Sequence, residues 1–337
     1  MDRRRPDRPA EPPKSQLNPP FCKIISGLGG RDLQRIHRLS ALYRLAGADW
    51  LDVAADPAVV KAAVQGRAWA EQQPSCPSQP MKIMVSVGLA GDPHVGAALI
   101  DAAVCATCSG CVLGELKACV DRPLPTRAPE CPSCQRCAPA CPLGAIRMAT
   151  ALVDGESLQS CMDAGAQAIE LHVAGAQPGA LTQGLAQVGR VLTGDHWLSV
   201  SVGAHRQTPS EIADVFYEVR ALSRPHCLLQ VEGTPMSGGL GGGDDRSLEL
   251  VKEVMHLAPD AAVQIAGGTD LGTAQRCHAA QLLVVGIAFG TFARLQVAAA
   301  LDAAGEGMRI DPEILQQSIE NARQLVHSVR SPEQWSF

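Results

Sequence analysis

Eight of the thirteen cysteines fall between Cys105 and Cys141, in two consecutive arrays spaced for metal ligation. The second array, Cys131-x2-Cys134-x2-Cys137-x3-Cys141-Pro142, follows the bacterial ferredoxin run residue for residue. The first, Cys105-x2-Cys108-x2-Cys111, has a late fourth cysteine at Cys119. Three thiolates on one tight loop grip three irons of a cubane, and the fourth iron is reached from the opposite array. This logic assigns Cys105, Cys108, Cys111 and Cys141 to one 4Fe-4S cluster, and Cys131, Cys134, Cys137 and Cys119 to a second. Val120, rather than proline, follows Cys119, and that is the departure from the ferredoxin pattern. Zinc ribbons also use paired C-x2-C units, but a tetrahedral zinc ion has no use for triple arrays. A disulfide framework suits small secreted domains better than a chain of 337 residues.

Other residue types outline a second candidate site. Polar residues alternate with branched apolar ones in Leu51-Asp52-Val53, Ile169-Glu170-Leu171-His172-Val173, Leu198-Ser199-Val200-Ser201-Val202 and Leu229-Gln230-Val231-Glu232. In strands this alternation sends the apolar set to one face and the polar set to the other. Asp52, Glu170, His172 and Glu232 would then converge, as a small-molecule site or as a hydrogen-bonded structural network; both readings stay open at this point. Gly267-Gly268-Thr269 and Gly286 with Gly290-Thr291 add bare backbone of the kind that receives phosphate at a barrel mouth. They make Gly267, Gly268, Gly286 and Gly290 a candidate phosphate site for flavin mononucleotide. The glycine-rich stretch 233–243 reads as a lid or a linker. Lys23 and Lys82 begin their strands, on the face of a barrel associated with stability, which argues against Schiff-base chemistry. The C-x3-C-x2-C triplet of radical S-adenosylmethionine enzymes is absent from both arrays. Cys76, on a Pro-Ser-Cys-Pro loop, is the remaining cysteine of redox interest.

The elements that must position these groups form a regular alternation. Strands are expected at 22–26, 50–54, 82–87, 168–173, 197–202, 227–232, 261–266 and 282–287. Helices are expected at 33–46, 57–65, 158–164, 181–192, 210–223, 248–257, 273–279 and 292–300. Eight strand–helix units predict an α/β fold, a (βα)8 TIM-type barrel, with the ferredoxin-like two-cluster insert after the third strand. An open doubly wound sheet is the alternative. The expected organisation is a disordered tail at 1–20, barrel at 21–104, the insert at 105–148, barrel at 149–305, and a C-terminal helix (312–329) with a tail at 306–337. With 46% apolar residues the chain can bury a full core, and a net charge of −5 gives no nucleic-acid footprint. No apolar run spans a bilayer. Arg3-Arg4-Arg5 raises twin-arginine export, but no hydrophobic segment follows before Phe21, so a cytoplasmic location is expected.

Phe21-Cys22-Lys23-Ile24-Ile25-Ser26-Gly27, the stretch from Ala46 to Pro57 and Gln230-Val231-Glu232-Gly233 resemble a barrel domain of unknown function shared by plastids and cyanobacteria. Together with the ferredoxin arrays, the chain from Phe21 onward resembles the cyanobacterial light-dependent period modulators, iron–sulfur proteins of the circadian input pathway. The resemblance implies a redox-sensing regulator that relays light and redox state to clock-associated proteins, including input sensor kinases. A competing reading from the residues is an oxidoreductase whose insert, charged by an electron donor, feeds a barrel-bound flavin. A third is an electron-transfer or assembly subunit with a degenerate barrel.

Overall fold

The computed structural model describes residues 20–27, 31–89, 92, 96–101, 103–105, 137–150, 154–174, 176, 179–203, 207–221, 226–233 and 245–331. In chain order the elements are β1 (Phe21–Ile25), α1 (Leu33–Ala46), β2 (Trp50–Ala54), α2 (Pro57–Glu71), β3 (Lys82–Gly88), β4 (Gly96–Ile100), α3 (Cys137–Ala140) and β5 (Ile146–Thr150). They continue as α4 (Gly155–Asp163), β6 (Ala168–His172), α5 (Ala180–Val191), β7 (Trp197–Gly203), α6 (Pro209–Arg220), β8 (Cys227–Glu232) and α7 (Asp245–Leu257). The last are β9 (Val263–Ala266), α8 (Thr273–Ala279), β10 (Gly286–Phe289), α9 (Thr291–Gln296), α10 (Ala298–Leu301) and α11 (Pro312–Arg330).

Local signals explain where many elements begin. Asp32 accepts hydrogen bonds from the Gln34 and Arg35 amides at the start of α1, and Asp56 caps α2 ahead of Pro57. Thr208 and Glu211 close a reciprocal capping box on α6. Gly47, at φ +87°, ends α1 in the left-handed conformation that glycine adopts without strain and turns the chain into β2.

Eight strands pair in parallel and close as β1-β10-β9-β8-β7-β6-β3-β2, so the fold is a (βα)8 barrel. Every other strand residue points to the helices. Ile24, Leu51, Val85, Ile169, Val200, Val231 and Ile287 are buried in one continuous layer with the inner faces of the helices. Burying each such side chain contributes roughly 1.5–3 kcal/mol. α1 and α2 approach closely at Gly66, where a Cβ would lie 2.0 Å from the His37 carbonyl oxygen. α11 lies against α1 through Ala322, Leu325 and Val329, and Arg330 bonds Asp49 at 2.6 Å.

Two expectations need correction, and one feature is new. The eighth barrel strand is Gly286–Phe289, not 282–287. The apolar run before it is the approach to the barrel, and the register is set by Gly286 opposite Phe21, whose ring occupies the space a Cβ would need, 2.4 Å away. The helix expected over 292–300 is broken at Val297 into α9 and α10. β4 and β5, unforeseen in the sequence, form an antiparallel ribbon separate from the barrel, from Gly96↔Thr150 to Ile100↔Ile146. Cys108, Cys111, Cys119, Cys131, Cys134 and most of the glycine-rich stretch lie outside the described residues.

Candidate functional site

The barrel interior is built in layers set by strand register. Its floor, at the N-terminal ends of the strands, is apolar: Phe21, Trp50, Met84, Ala168, Leu228 and Val285 pack together with Trp197 against them. The Lys82 ammonium lies 5.1 Å over the Trp50 ring and 5.4 Å over Trp197, closing the floor by cation–π contacts.

Lys23 does not share that floor. β1 begins at Phe21, so Lys23 is one interior step nearer the mouth, fully buried, and the expectation that it lies on the stability face is overturned. Its Nζ donates to Glu170 Oε2 and, at 2.9 Å, to Gln230 Oε1, with Asp52 Oδ2 at 3.6 Å. Glu170 also accepts from Ser199 Oγ at 2.8 Å and Gln230 Nε2 at 2.9 Å, and its Oε1 lies 3.2 Å from His172 Nε2. Ser86 Oγ donates to Asp52. Glu232 accepts from Ser201 Oγ at 2.8 Å and Gln230 Nε2 at 3.0 Å, and Gln264 Nε2 donates to Gln230 Oε1. The structure therefore brings Asp52, Glu170, His172 and Glu232 into one network. Lys23, Gln230 and Gln264 belong to it too, although the sequence reading left them out. The signal for the two glutamines was their place as the polar residues of the alternating runs Leu229-Gln230-Val231-Glu232 and Val263-Gln264-Ile265.

Electrostatics separate the acids. Burial opposes the ionised form of Glu170, but Lys23 and His172 outweigh it and hold its carboxyl well below the usual range. For Asp52 burial wins over the more distant Lys23, Glu170 adds repulsion, and the carboxyl rises to about 6. Burial also works against charge on His172; the Glu170 bond and the charges of Glu170, Asp92 and Glu232 overcome it and raise the imidazole to about 9. Donor atoms of Asp52, Glu170 and His172 lie within 4.8 Å of one another, a spacing that suits a metal ion. The Lys23 ammonium already supplies the cation between the two carboxylates.

The four glycines do not converge. Gly267 and Gly268, both at positive φ (+76° and +75°), line a shallow recess at the mouth end of β9 with Ser247, Thr269, Thr273 and Arg276. Arg276 is tied to Asp270 at 2.8 Å. Gly290 precedes α9, beside Arg294. Gly286 opens β10 opposite Phe21 at the floor, so it is not part of any site at the mouth.

The described part of the cysteine region is its root. The β4–β5 ribbon runs to Ile100↔Ile146 and is extended by the Asp101 amide donating to Ala145 O at 2.8 Å. Cys105 and Cys141 stand five residues beyond the same ladder pair, one on each outgoing arm. Desolvation opposes ionisation of Cys141, but the backbone N–H groups of Leu143, Ala145, Ile146 and Gly144 outweigh it and lower the thiol pKa. A thiol held toward its thiolate by convergent amides has the form that ligates iron. Cys76 moves the other way, raised chiefly by burial.

A family model described as the light dependent period A C-terminal domain matches residues 161–328. Light dependent period A of Synechococcus elongatus is 31% identical over 321 residues, 91% of this chain and 90% of that relative. Among solved structures, a putative fructose-1,6-biphosphate aldolase from Coccidioides immitis superposes with a TM-score of 0.51 at 10% identity, covering 95% of each chain. A tryptophan synthase from Mycobacterium tuberculosis gives 0.47 at 12% identity, over 95% of this chain and 99% of that one. The aldolase likeness supports the barrel fold and carries nothing about activity.

Proposed function

The chain belongs to the light dependent period A family, and from that premise we propose that it is an iron–sulfur, redox-sensing regulatory protein that conveys cellular redox and light state to the clock. In this reading the eight arrayed cysteines hold two 4Fe-4S clusters, and the barrel is the scaffold on which clock-associated proteins, including input sensor kinases, dock. Electrons reach the clusters from a cytoplasmic donor. Among the described residues no helix is long and apolar enough to cross a membrane.

The observation that carries the reading is the ribbon root. An antiparallel ladder that delivers Cys105 and Cys141 on neighbouring arms is what a cluster shared between the two arrays requires. The amides around Cys141 supply the hydrogen bonds to sulfur that tune such a cluster. A change in cluster charge or integrity then acts on the ribbon whose arms carry Cys105 and Cys141. On the barrel side, the chain leaves β3 at the mouth, where the Leu89 amide bonds His172 O at 3.2 Å and Asp92 lies buried.

The test is binding of the anoxically purified protein to an input sensor kinase, measured with clusters oxidised and then reduced by dithionite. The reading expects affinities that differ several-fold between the two states; equal affinities overturn it. The recess at Gly267 and Gly268 favours a second reading, a flavin-dependent oxidoreductase. Flavin released on denaturation supports that one, and a broad cluster absorbance without flavin removes it.

A further inference from the structure

We propose that the barrel mouth between β10 and β1 holds a site for a phosphate group, free or as the end of a small ester, built on Arg294, Ser26 and Thr291. The site is independent of the cluster reading. It lies one strand round from the recess at Gly267 and Gly268, which opens beyond β9. Its centre is an arginine without an acid. Arg31, Arg44, Arg220, Arg276 and Arg330 each pair with a carboxylate. Arg294 donates instead to two neutral acceptors, from Nη1 to Ile25 O at 2.8 Å and from Nη2 to Thr291 Oγ1 at 2.9 Å. The rest of its donor fork has no protein acceptor among the described residues.

The surroundings do not supply the missing charge. Burial, and after it the Arg35 guanidinium, hold the Arg294 pKa below the usual arginine value, and no acid among the described residues offsets them. A desolvated cation of this kind is costly until an anion neutralises it. Arg38 shows the contrasting, structural case. Fully buried, it donates to the carbonyl oxygens of Ala300, Leu301, Ala303, Gly305 and Gly307, so its fork is filled by protein.

Space and a second donor stand beside Arg294. A Cβ built on Gly27 or on Gly290 would meet Arg294 Nη1 at 3.9 Å and, its own chain neighbours apart, nothing else within 4 Å. Two glycines at the ends of β1 and β10 thus flank the same nitrogen across open space, and both are half-buried, on the solvent side of the mouth. Ser26 adds a hydroxyl. Its amide bonds Asp52 O at 2.9 Å and continues the β1 ladder, so its side chain shares the outward parity of Cys22 and Ile24, toward the layer in which α9 packs on β1. Ser26 is 9% exposed, and its Oγ has no hydrogen-bond partner among the described residues. A buried hydroxyl of this kind calls for one. Thr291 Oγ1 accepts from Arg294, which leaves its O–H to donate. A phosphate takes the guanidinium fork on two oxygens, accepts from the two hydroxyls and turns its remaining oxygen toward solvent.

The experiment is calorimetric titration of the full, folded chain, purified without oxygen, with inorganic phosphate and with glycerol 3-phosphate at constant ionic strength. The proposal expects saturable binding with a Kd of about 1 mM or tighter. Arg294→Met should weaken it about tenfold or more, the loss of a charge-assisted contact. A tighter ester names the esterified group as the ligand, and a tighter inorganic phosphate names the free anion. Arg294→Met also loses the bond to Ile25, so Ser26→Ala is the second variant. It removes only a hydroxyl without a protein partner, and should weaken binding several-fold while the unfolding midpoint stays in place. No saturable binding by about 10 mM, or a titration unaltered in Ser26→Ala, overturns the proposal. Binding kept in Arg294→Met and lost in Arg276→Met puts the anion in the other recess and overturns it equally.

Discussion

Removing either member of the Lys23–Glu170 pair leaves the other buried with a changed set of partners, and the geometry sets the scale of the effect. The ammonium and carboxylate are in contact and fully buried. At an effective dielectric constant of about 20, two unit charges in contact attract by roughly 5 kcal/mol, part of which is offset by desolvation. Breaking a buried pair from one side typically costs about 3–5 kcal/mol. Glu170→Gln leaves Lys23 with Gln230 and with Asp52 at 3.6 Å. Lys23→Met leaves Glu170 with Ser199, Gln230 and His172. Each single variant is therefore expected to lose about 3 kcal/mol, and the double variant about 2 kcal/mol less than the sum, because it strands no member of the pair. Urea unfolding followed by far-ultraviolet circular dichroism, with m-values compared across the cycle, measures this. Singles that each lose less than about 1 kcal/mol, or losses that add within about 0.5 kcal/mol, refute the claim that these two groups hold the interior together.

Three further outcomes follow from the same interior and its packing. His172 has a folded pKa raised from 6.5 to about 9, so its contribution, about 3 kcal/mol, is fully present below pH 6.5 and is lost as pH rises through 9. His172→Gln should flatten that alkaline limb in a stability profile. The Asp52 pKa is likewise raised, from 3.8 to about 6, so stability is gained as pH falls from 6 toward 3.8. Asp52→Asn should lack that gain, and an unchanged acid profile would contradict the assignment. Gly66→Ala places a methyl 2.0 Å from a backbone oxygen that cannot rotate away, and should lower stability by about 2 kcal/mol or more. Thermal denaturation of that variant beside Gly189→Ala, whose Cβ meets nothing within 4 Å, separates the clash from ordinary helix propensity.

Much of the barrel was legible because the chemistry is local and periodic. Alternation in Leu198-Ser199-Val200-Ser201-Val202 states which side chains face the helices, and Asp32, Asp56 and Thr208 mark helix starts by their own hydrogen bonds. Depth along the barrel axis is a different matter. Whether Lys23 belongs to the floor or to the middle layer depends on where β1 is staggered against β10 and β2, and that stagger is a property of the closed sheet. For the same reason Gly286, adjacent in sequence to Ile287, was placed at the wrong end of its strand. The β4–β5 ribbon was hidden because Gly96-Ala97-Ala98-Leu99-Ile100 shows no alternation and carries a single β-branched residue, at its end. Only pairing with Ile146–Thr150 makes it a strand.

The central claim is that the thiolates at the eight arrayed positions hold two cubane clusters. Iron and acid-labile sulfide, quantified in anoxically purified protein alongside paramagnetic resonance of the reduced sample, test it most directly. The account predicts about eight irons and eight sulfides per chain, with the signal of two reduced 4Fe-4S centres. Protein that carries zinc in place of iron and shows no such signal contradicts it.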